Sequence, residues 1–552
     1  MTKKQFGEDP VFDPPGPGSW HLEATHLSRP FSRFAVAAFM AGFRRGFAEG
    51  MARYGLLLDH VEGAVVNGFI YSQPVMFGAD LPDGPARDAA MQARLATSIR
   101  AFEDKLWRQD LDQWDRVDKP EAIAQYRAIH DVDPTALSNE ELVRHLGLCR
   151  DNFEAMIYLH HKYTATAFVS VGDFLAGAQE WTGAAAGELL QLLSGTSPIS
   201  AGFAAAELDS LARSIRADET VQQVLNAAAL PVRILDALAA NPGIGAETRA
   251  YLDAVRFRSI GCDVGDLSAG EMPELLVEAI RAAVAGAAAA HQDANLSKIK
   301  ERVPAEHLAE FEDRLGEARL MNRLRDERCV YADGWATGLA RRALLEAGRR
   351  LHDAGKLVDP AHAVDMEAVE LAALLRGEPG PSADEVAQRY RWRTSHTIDD
   401  VPPFLGSPPN PPPPLESLPP AALRGTRAVN AAFSVLARVP DAENTDTVLH
   451  GLAVNAETYE GIARVVDDAA DFARIQQGDV LVTRMTSPYF NVVLPLLGAI
   501  VTDRGGQLCH AAIVAREYGI PGIVGTRQAT LLIPDGARVR VDGKAGVVTL
   551  LR

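Results

Sequence analysis

Thr502 to Thr526 reads TDRGGQLCHAAIVAREYGIPGIVGT, and the interpretation of the whole chain turns on this stretch. The apolar run AIVTD leading into it has the β-branched character of a strand, and Gly505-Gly506 marks a tight turn. HAAIVAREYG then has the pattern of a helix, stopped by Gly519 and Pro521. His510 is thereby predicted at the start of a helix, immediately after a strand and a turn.

That position has chemical meaning. Imidazole is nucleophilic and largely neutral near neutral pH, so it can attack phosphorus and later act as a leaving group. The N–H groups and positive end of a helix stabilise an anion formed there. Gly505 and Gly506 carry no side chains to obstruct a bulky phosphate donor. Arg504 can neutralise charge on a transferring group. Thr502 and Cys509 complete the candidate catalytic set with His510. A histidine that merely caps or packs the helix would fit the same local pattern.

Working outward, short β-branched runs punctuated by Gly and Pro surround this motif: GLAVN, ARVV, DVLVT, AIVTD, GIVG, ARVRVDG and GVVTLL. They predict a compact C-terminal α/β domain over residues 422–552. Val401 to Pro420, VPPFLGSPPNPPPPLESLPP, is half proline, which disfavours helix and sheet ladders and favours extended polyproline II. Residues 401–421 are therefore expected to be a semi-rigid linker that lets the last domain move. Residues 1–400 form the other expected domain, mostly α-helical. Helical periodicity is plain over Asp88–Trp114, Asn139–Phe168, Met272–His291 and Glu306–Gly355.

A chain of 552 residues is long enough for two or three domains. Its formal charge of −18 would repel a polyanion, which argues against nucleic-acid binding. Ala421 to Arg552 holds 13 basic and 13 acidic residues, so the whole net charge lies in the preceding part. The N-terminus has no signal-peptide core, and no run of about 18 apolar residues occurs, so a cytoplasmic location without membrane contact is expected. Cys149, Cys262, Cys329 and Cys509 lie far apart with no CxxC pair, which suits a reducing compartment and argues against a zinc site.

The Thr502–Thr526 run resembles, nearly residue for residue, the phosphohistidine motif of the swivelling domain of the PEP-utilizing enzyme family, which includes PEP synthase, pyruvate phosphate dikinase and rifampin phosphotransferase. Cys509-His510-Ala511-Ala512, Ala515-Arg516-Glu517 and Gly519-Ile520-Pro521 carry the likeness, and it extends from about Gly451 to the C-terminus. It implies that His510 is the phosphorylated residue. Leu508 stands where PEP synthase and the dikinase tend to have threonine, so regulatory phosphorylation there is not expected. NAETYEG replaces the Pro-Gly turn common in the opening strand pair.

The PEP/pyruvate barrel of those enzymes follows the swivelling domain, and this chain ends with that domain. Residues 1–400 hold no convincing phosphate-cradling loop. The layout thus resembles the phosphohistidine subunit of phenylphosphate synthase-like kinases. That likeness implies an ATP-grasp partner subunit carrying ATP and Mg²⁺, with no cofactor or metal on this chain. The implied acceptor is the hydroxyl of an organic compound, most simply a phenol, and the products AMP, phosphate and an aryl phosphate. The alternatives are a component that inactivates a hydroxylated antibiotic, and a phosphocarrier or regulatory module without a small-molecule acceptor.

Two segments of the N-terminal part resemble the acceptor-binding domain of rifampin phosphotransferase: Trp20–Phe34 and Arg323–Gly348. The first supplies His26 and Arg29 beside a Ser-Arg-Pro turn. In the second, Arg325, Arg328 and Arg342 can share one broad helix face and meet a phosphoryl group, unless they are paired with Asp326 and Glu327. His160-His161-Lys162 is a third candidate, and His161 joins the acceptor-site set as a base or phosphate contact. Adjacent helical residues point about 100° apart, so one pocket takes only one of the two histidines, and a metal site from this pair alone is not expected.

Overall fold

The computed structural model describes residues 10–24, 27–196, 205–286, 296–408, 414–437, 443–466, 469–486, 490 and 493–551. It separates into two compact units, each discontinuous in sequence. The first comprises Met1–Ala167, Gly261–Leu267 and Glu327–Thr426, and the second Phe168–Ile260, Ser268–Asp326 and Arg427–Arg552. The contiguous division expected at residues 400 and 422 is thus replaced by one in which the chain passes between units several times.

The first unit is built on long helices and a small antiparallel sheet. Arg33–Arg53 packs along Asn139–Lys162. The close approach is made by Gly42, Gly46 and Gly50, where an added Cβ would run into the backbone of residues 154–162. Asn139–Lys162 starts with a capping box, in which Ser138 and Glu141 satisfy each other's end groups. The periodic stretch Glu306–Gly355 is not one helix. Leu308–Arg328 gives way to a π-helical turn at Cys329–Asp333, and Gly334–Asp353 continues beyond it. Asp88–Trp114 is likewise divided between Pro85–Glu103 and Leu106–Gln113, with Lys105 at φ 49° between them.

The sheet of this unit has the order β2-β3-β1-β4, with β1 Ser19–Leu22, β2 Leu58–Val66, β3 Phe69–Met76 and β4 Phe404–Gly406. Few strands were expected here. The β2–β3 hairpin turns on Asn67-Gly68, both at positive φ, which is the residue pair that a two-residue turn favours. β4 corrects the reading of the proline-rich segment. Prolines 402 and 403 cannot donate to a ladder, yet their carbonyls accept from the Tyr71 hydroxyl at 2.8 Å and the Leu22 amide at 3.0 Å. Phe404–Gly406 pairs with β1, and Leu405 joins a core of Trp20, Phe69, Tyr71 and Ile398. At the other end a helix occupies Pro420–Ala437, with proline in its first turn, where the missing N–H costs nothing. The middle of the expected linker, 409–413, lies outside the described residues.

The second unit contains a mixed eight-stranded sheet of order β5-β12-β11-β7-β8-β9-β10-β6. The strands are β5 Val448–His450, β6 Leu452–Ala453, β7 Thr458–Val466, β8 Asp479–Thr483, β9 Leu497–Thr502, β10 Gly522–Val524, β11 Arg538–Asp542 and β12 Val547–Leu550. Each of the seven expected β-branched runs contributes a strand. β7 through β10 are parallel neighbours and the remaining pairs are antiparallel. Burial alternates along β8 and β9 between two cores. Val480, Val482, Ala499 and Val501 face Val539 and Val541, whereas Leu481 and Ile500 face Ala511, Ala512 and Ala515 of the helix His510–Tyr518. A parallel strand apolar on both faces must be covered on both, and here one cover is the helix that begins with the candidate nucleophile.

If residues 401–407 were only a tether, truncating Leu405 would be silent. Leu405 is 6% exposed, so Leu405→Ala is expected to destabilise the first unit by about 2–5 kcal/mol, read as a lowered denaturation midpoint at unchanged m-value.

Candidate functional site

His510 is the first residue of the helix His510–Tyr518, and Cys509, with extended backbone, is its N-cap. The turn before it is shaped by backbone contacts. Gly505 has φ +102°, and a Cβ there would stand 2.7 Å from Cys509 Sγ, so both conformation and space demand glycine. The carbonyl of buried Gly506 accepts from the Cys509 amide at 3.0 Å. Thr502 is fully buried; its hydroxyl donates to the Arg504 carbonyl at 2.7 Å, and its own carbonyl accepts the Thr526 amide and hydroxyl. The Arg504 amide donates to the Arg484 carbonyl at 2.9 Å. Thr502, Gly505, Gly506 and Cys509 therefore fix the shape of the turn, and His510 supplies its nucleophilic side chain.

The imidazole is held and desolvated. Its Nδ1 lies 2.9 Å from the hydroxyl of buried Thr486, in the loop after β8. Burial drives its pKa from an ordinary 6.5 down to about 3, with the Asp326 carboxylate opposing and the Arg325 guanidinium reinforcing the shift. The ring is consequently neutral throughout the physiological range.

Arg325 is the acceptor-site candidate that falls in the same unit as His510 and acts on it electrostatically. It sits near the end of Leu308–Arg328, 8% exposed, and its Nε and Nη2 donate to Asp326 Oδ1 at 3.2 and 3.0 Å. Two further residues of the motif are built into the surroundings. Arg516 reaches back to the Gln507 carbonyl, and burial, with Arg325 adding to it, lowers its pKa to about 10. The Glu517 carboxylate accepts the Gly195 amide at 3.0 and 2.8 Å.

The other described candidates belong to the first unit, and the π-helical turn interrupts the helical face between Arg328 and Arg342. Arg328 donates to the His160 carbonyl at 2.8 Å and to Thr164 Oγ1 at 2.9 Å. Arg342 donates to the His130 carbonyl at 2.9 Å. Arg29 is paired with Asp266. His161 stands edge-on to Phe43, with ring centroids 4.5 Å apart. His26 lies outside the described residues. Sequence reading missed Thr486, which is 24 positions from His510 and carries no local signal beyond being polar just after a strand.

Comparison with known proteins agrees with this geometry. Residues 160–333 match the rifampicin phosphotransferase fourth domain. The chain is 31% identical over 231 residues to an uncharacterized phosphotransferase, YvkC, of Bacillus subtilis (strain 168), covering 41% of this chain and 26% of that protein. It is 33% identical over 331 residues to a rifampicin phosphotransferase of a Streptomyces species, covering 57% of this chain and 36% of the relative. A probable phosphoenolpyruvate synthase of Archaeoglobus fulgidus is 43% identical over 101 residues, 18% of this chain and 13% of that one. The chain thus spans about a quarter to a third of the length of the first two relatives. Residues 475–546, which include the strand, turn and helix around His510, match the PEP-utilising enzyme mobile domain, so the chain carries a domain of the kind found in phosphoenolpyruvate synthases and is similar over more than half its length to a rifampicin phosphotransferase.

Proposed function

We propose that this chain is the phosphohistidine-carrying component of a dikinase-type phosphotransferase, with His510 as nucleophile and then carrier. The observation that carries the reading is a neutral imidazole at a helix start whose Nδ1 is engaged by Thr486. With Nδ1 engaged, Nε2 is the nitrogen that attacks phosphorus. The adduct forms next to the helix N-terminus, which favours its charge. In this reading an ATP-grasp partner subunit holds ATP and Mg²⁺. Nε2 of His510 takes one phosphoryl group derived from ATP, AMP leaves, and water takes the other phosphoryl group to give inorganic phosphate. The phosphoryl group then passes from His510 to the oxygen of an organic hydroxyl, whose proton goes to a base, and the histidine is regenerated. A phenol suits this step because its oxygen is acidic enough to need little help.

A second acceptor class is favoured by one specific observation, the likeness of 331 residues to a protein named for rifampicin. A bulky hydroxylated antibiotic would use the same carrier chemistry. Assaying phenols against macrolactones with the reconstituted pair separates the two. Among the described residues no helix is long and apolar enough to cross a membrane.

The direct test is labelling. With an ATP-grasp partner and labelled ATP, the chain is expected to gain an acid-labile label at His510, and His510→Ala to gain none; self-labelling of the isolated chain from ATP would overturn the two-chain model. Thr486→Val should slow labelling by about two- to tenfold, the worth of a net hydrogen bond of about 0.5–1.5 kcal/mol.

The depressed pKa also predicts an acid signature. The unfolded chain binds the His510 proton near 6.5 and the folded chain only near 3, so His510 costs no stability above about 6.5 and an increasing amount as pH falls toward about 3. His510→Asn is therefore expected to lose stability less steeply across that window, measured as denaturation midpoint against pH. Parallel profiles for the two proteins would contradict a neutral, half-buried imidazole.

A further inference from the structure

In the first unit, far from His510 in sequence, three side chains of metal-binding character converge. His160 lies in the last turn of the helix Asn139–Lys162, and Cys329 and Asp333 are the first and last residues of the π-helical turn. One ligand atom from each lies within 4.8 Å of the other two, and all three side chains are partly buried. His160 Nδ1 is 3.2 Å from Asp333 Oδ1. Cysteine spacing and the adjacent histidines both argued against a metal in this chain. Neither argument applies to this group, because its members come from elements more than 160 positions apart in sequence and from one turn of helix.

We propose that His160, Cys329 and Asp333 form a binding site for a Zn²⁺-like divalent transition metal. A thiolate, an imidazole and a carboxylate are the donor set of a borderline-soft ion, whereas Mg²⁺ and Ca²⁺ take oxygen ligands. Tetrahedral coordination with bonds of about 2.0–2.3 Å places ligand atoms roughly 3.3–3.8 Å apart, so contraction by no more than about 1.5 Å is needed, within reach of side-chain rotation. Cys329 and Asp333 are four residues apart, the helical spacing that puts two ligands on one face. The π-helical turn fits this role, since such bulges are frequent at functional sites. Three protein ligands leave a fourth position for water or another oxygen ligand. Binding replaces the His160–Asp333 hydrogen bond and releases the Cys329 thiol proton to solvent. Cys262 is near enough for Asp333 to act on its thiol, but its sulfur is not among the three ligand atoms that converge, so it is expected to stay outside the coordination sphere.

The test uses the full-length chain, stripped with a chelator and titrated with Co²⁺, whose thiolate complexes absorb in the near ultraviolet. The expected result is one bound equivalent with a thiolate-to-cobalt charge-transfer band that Zn²⁺ displaces. Cys329→Ser should abolish the band, and Asp333→Asn should keep it but weaken Co²⁺ binding by at least about tenfold. Cys262→Ser should leave both unchanged, and circular dichroism of each stripped variant checks that it is folded. A wild-type chain that takes up no Co²⁺ would mean that His160 and Asp333 are only a hydrogen-bonded pair, and would overturn the site. So would a band that survives Cys329→Ser, or full affinity in Asp333→Asn.

Discussion

An imidazole can receive a phosphoryl group only through an uncharged nitrogen, and the surroundings of His510 hold its ring in that state. Burial keeps the His510 ring neutral, Thr486 takes Nδ1, and the helix His510–Tyr518 presents its positive end where the negative adduct would form. Asp326 pulls the other way, favouring protonation, while Arg325 offsets it. Such a balance suits a carrier, which must accept a group and then release it. An imidazole permanently charged by a dominant carboxylate would have no lone pair to offer.

The turn that carries His510 is held by bonds that do not involve its imidazole. Gly505 turns in a conformation that other residues rarely adopt, Thr502 ties its hydroxyl to the Arg504 carbonyl, and Arg516 holds the Gln507 carbonyl from the far end of the helix. These restraints lie behind the nucleophile and set its direction. Arg328 and Arg342 illustrate the reverse case. An arginine suits phosphate because its fork makes several hydrogen bonds, and the same fork serves equally well to bind buried carbonyls, as both residues do.

Much of the C-terminal fold was legible because its strands are short, β-branched and separated by Gly and Pro, and because AIVTD, Gly505-Gly506 and HAAIVAREYG are strand, turn and helix by purely local rules. The β2–β3 hairpin was equally marked, by Asn67-Gly68 between apolar runs, but the surrounding helical periodicity obscured it. Other features left no local trace. A π-helical turn at Cys329–Asp333 keeps the apolar pattern of an uninterrupted helix, and β4 is defined only by β1, nearly 400 residues earlier. Thr486 and Arg325 reach the environment of His510 through tertiary structure, so the candidate site was readable in its nucleophile and turn and unreadable in what surrounds them.

The strand order of the eight-stranded sheet has a topological consequence. Its two outermost strands, β5 and β6, are consecutive in the chain, separated by Gly451 alone. Residues 450 and 452 stand no more than about 7 Å apart along an extended chain. A sheet whose two margins are joined by so short a connection must curl until the margins approach each other at that point. The Gly451 amide, bonded to the Gly546 carbonyl at 2.9 Å, lies at that seam.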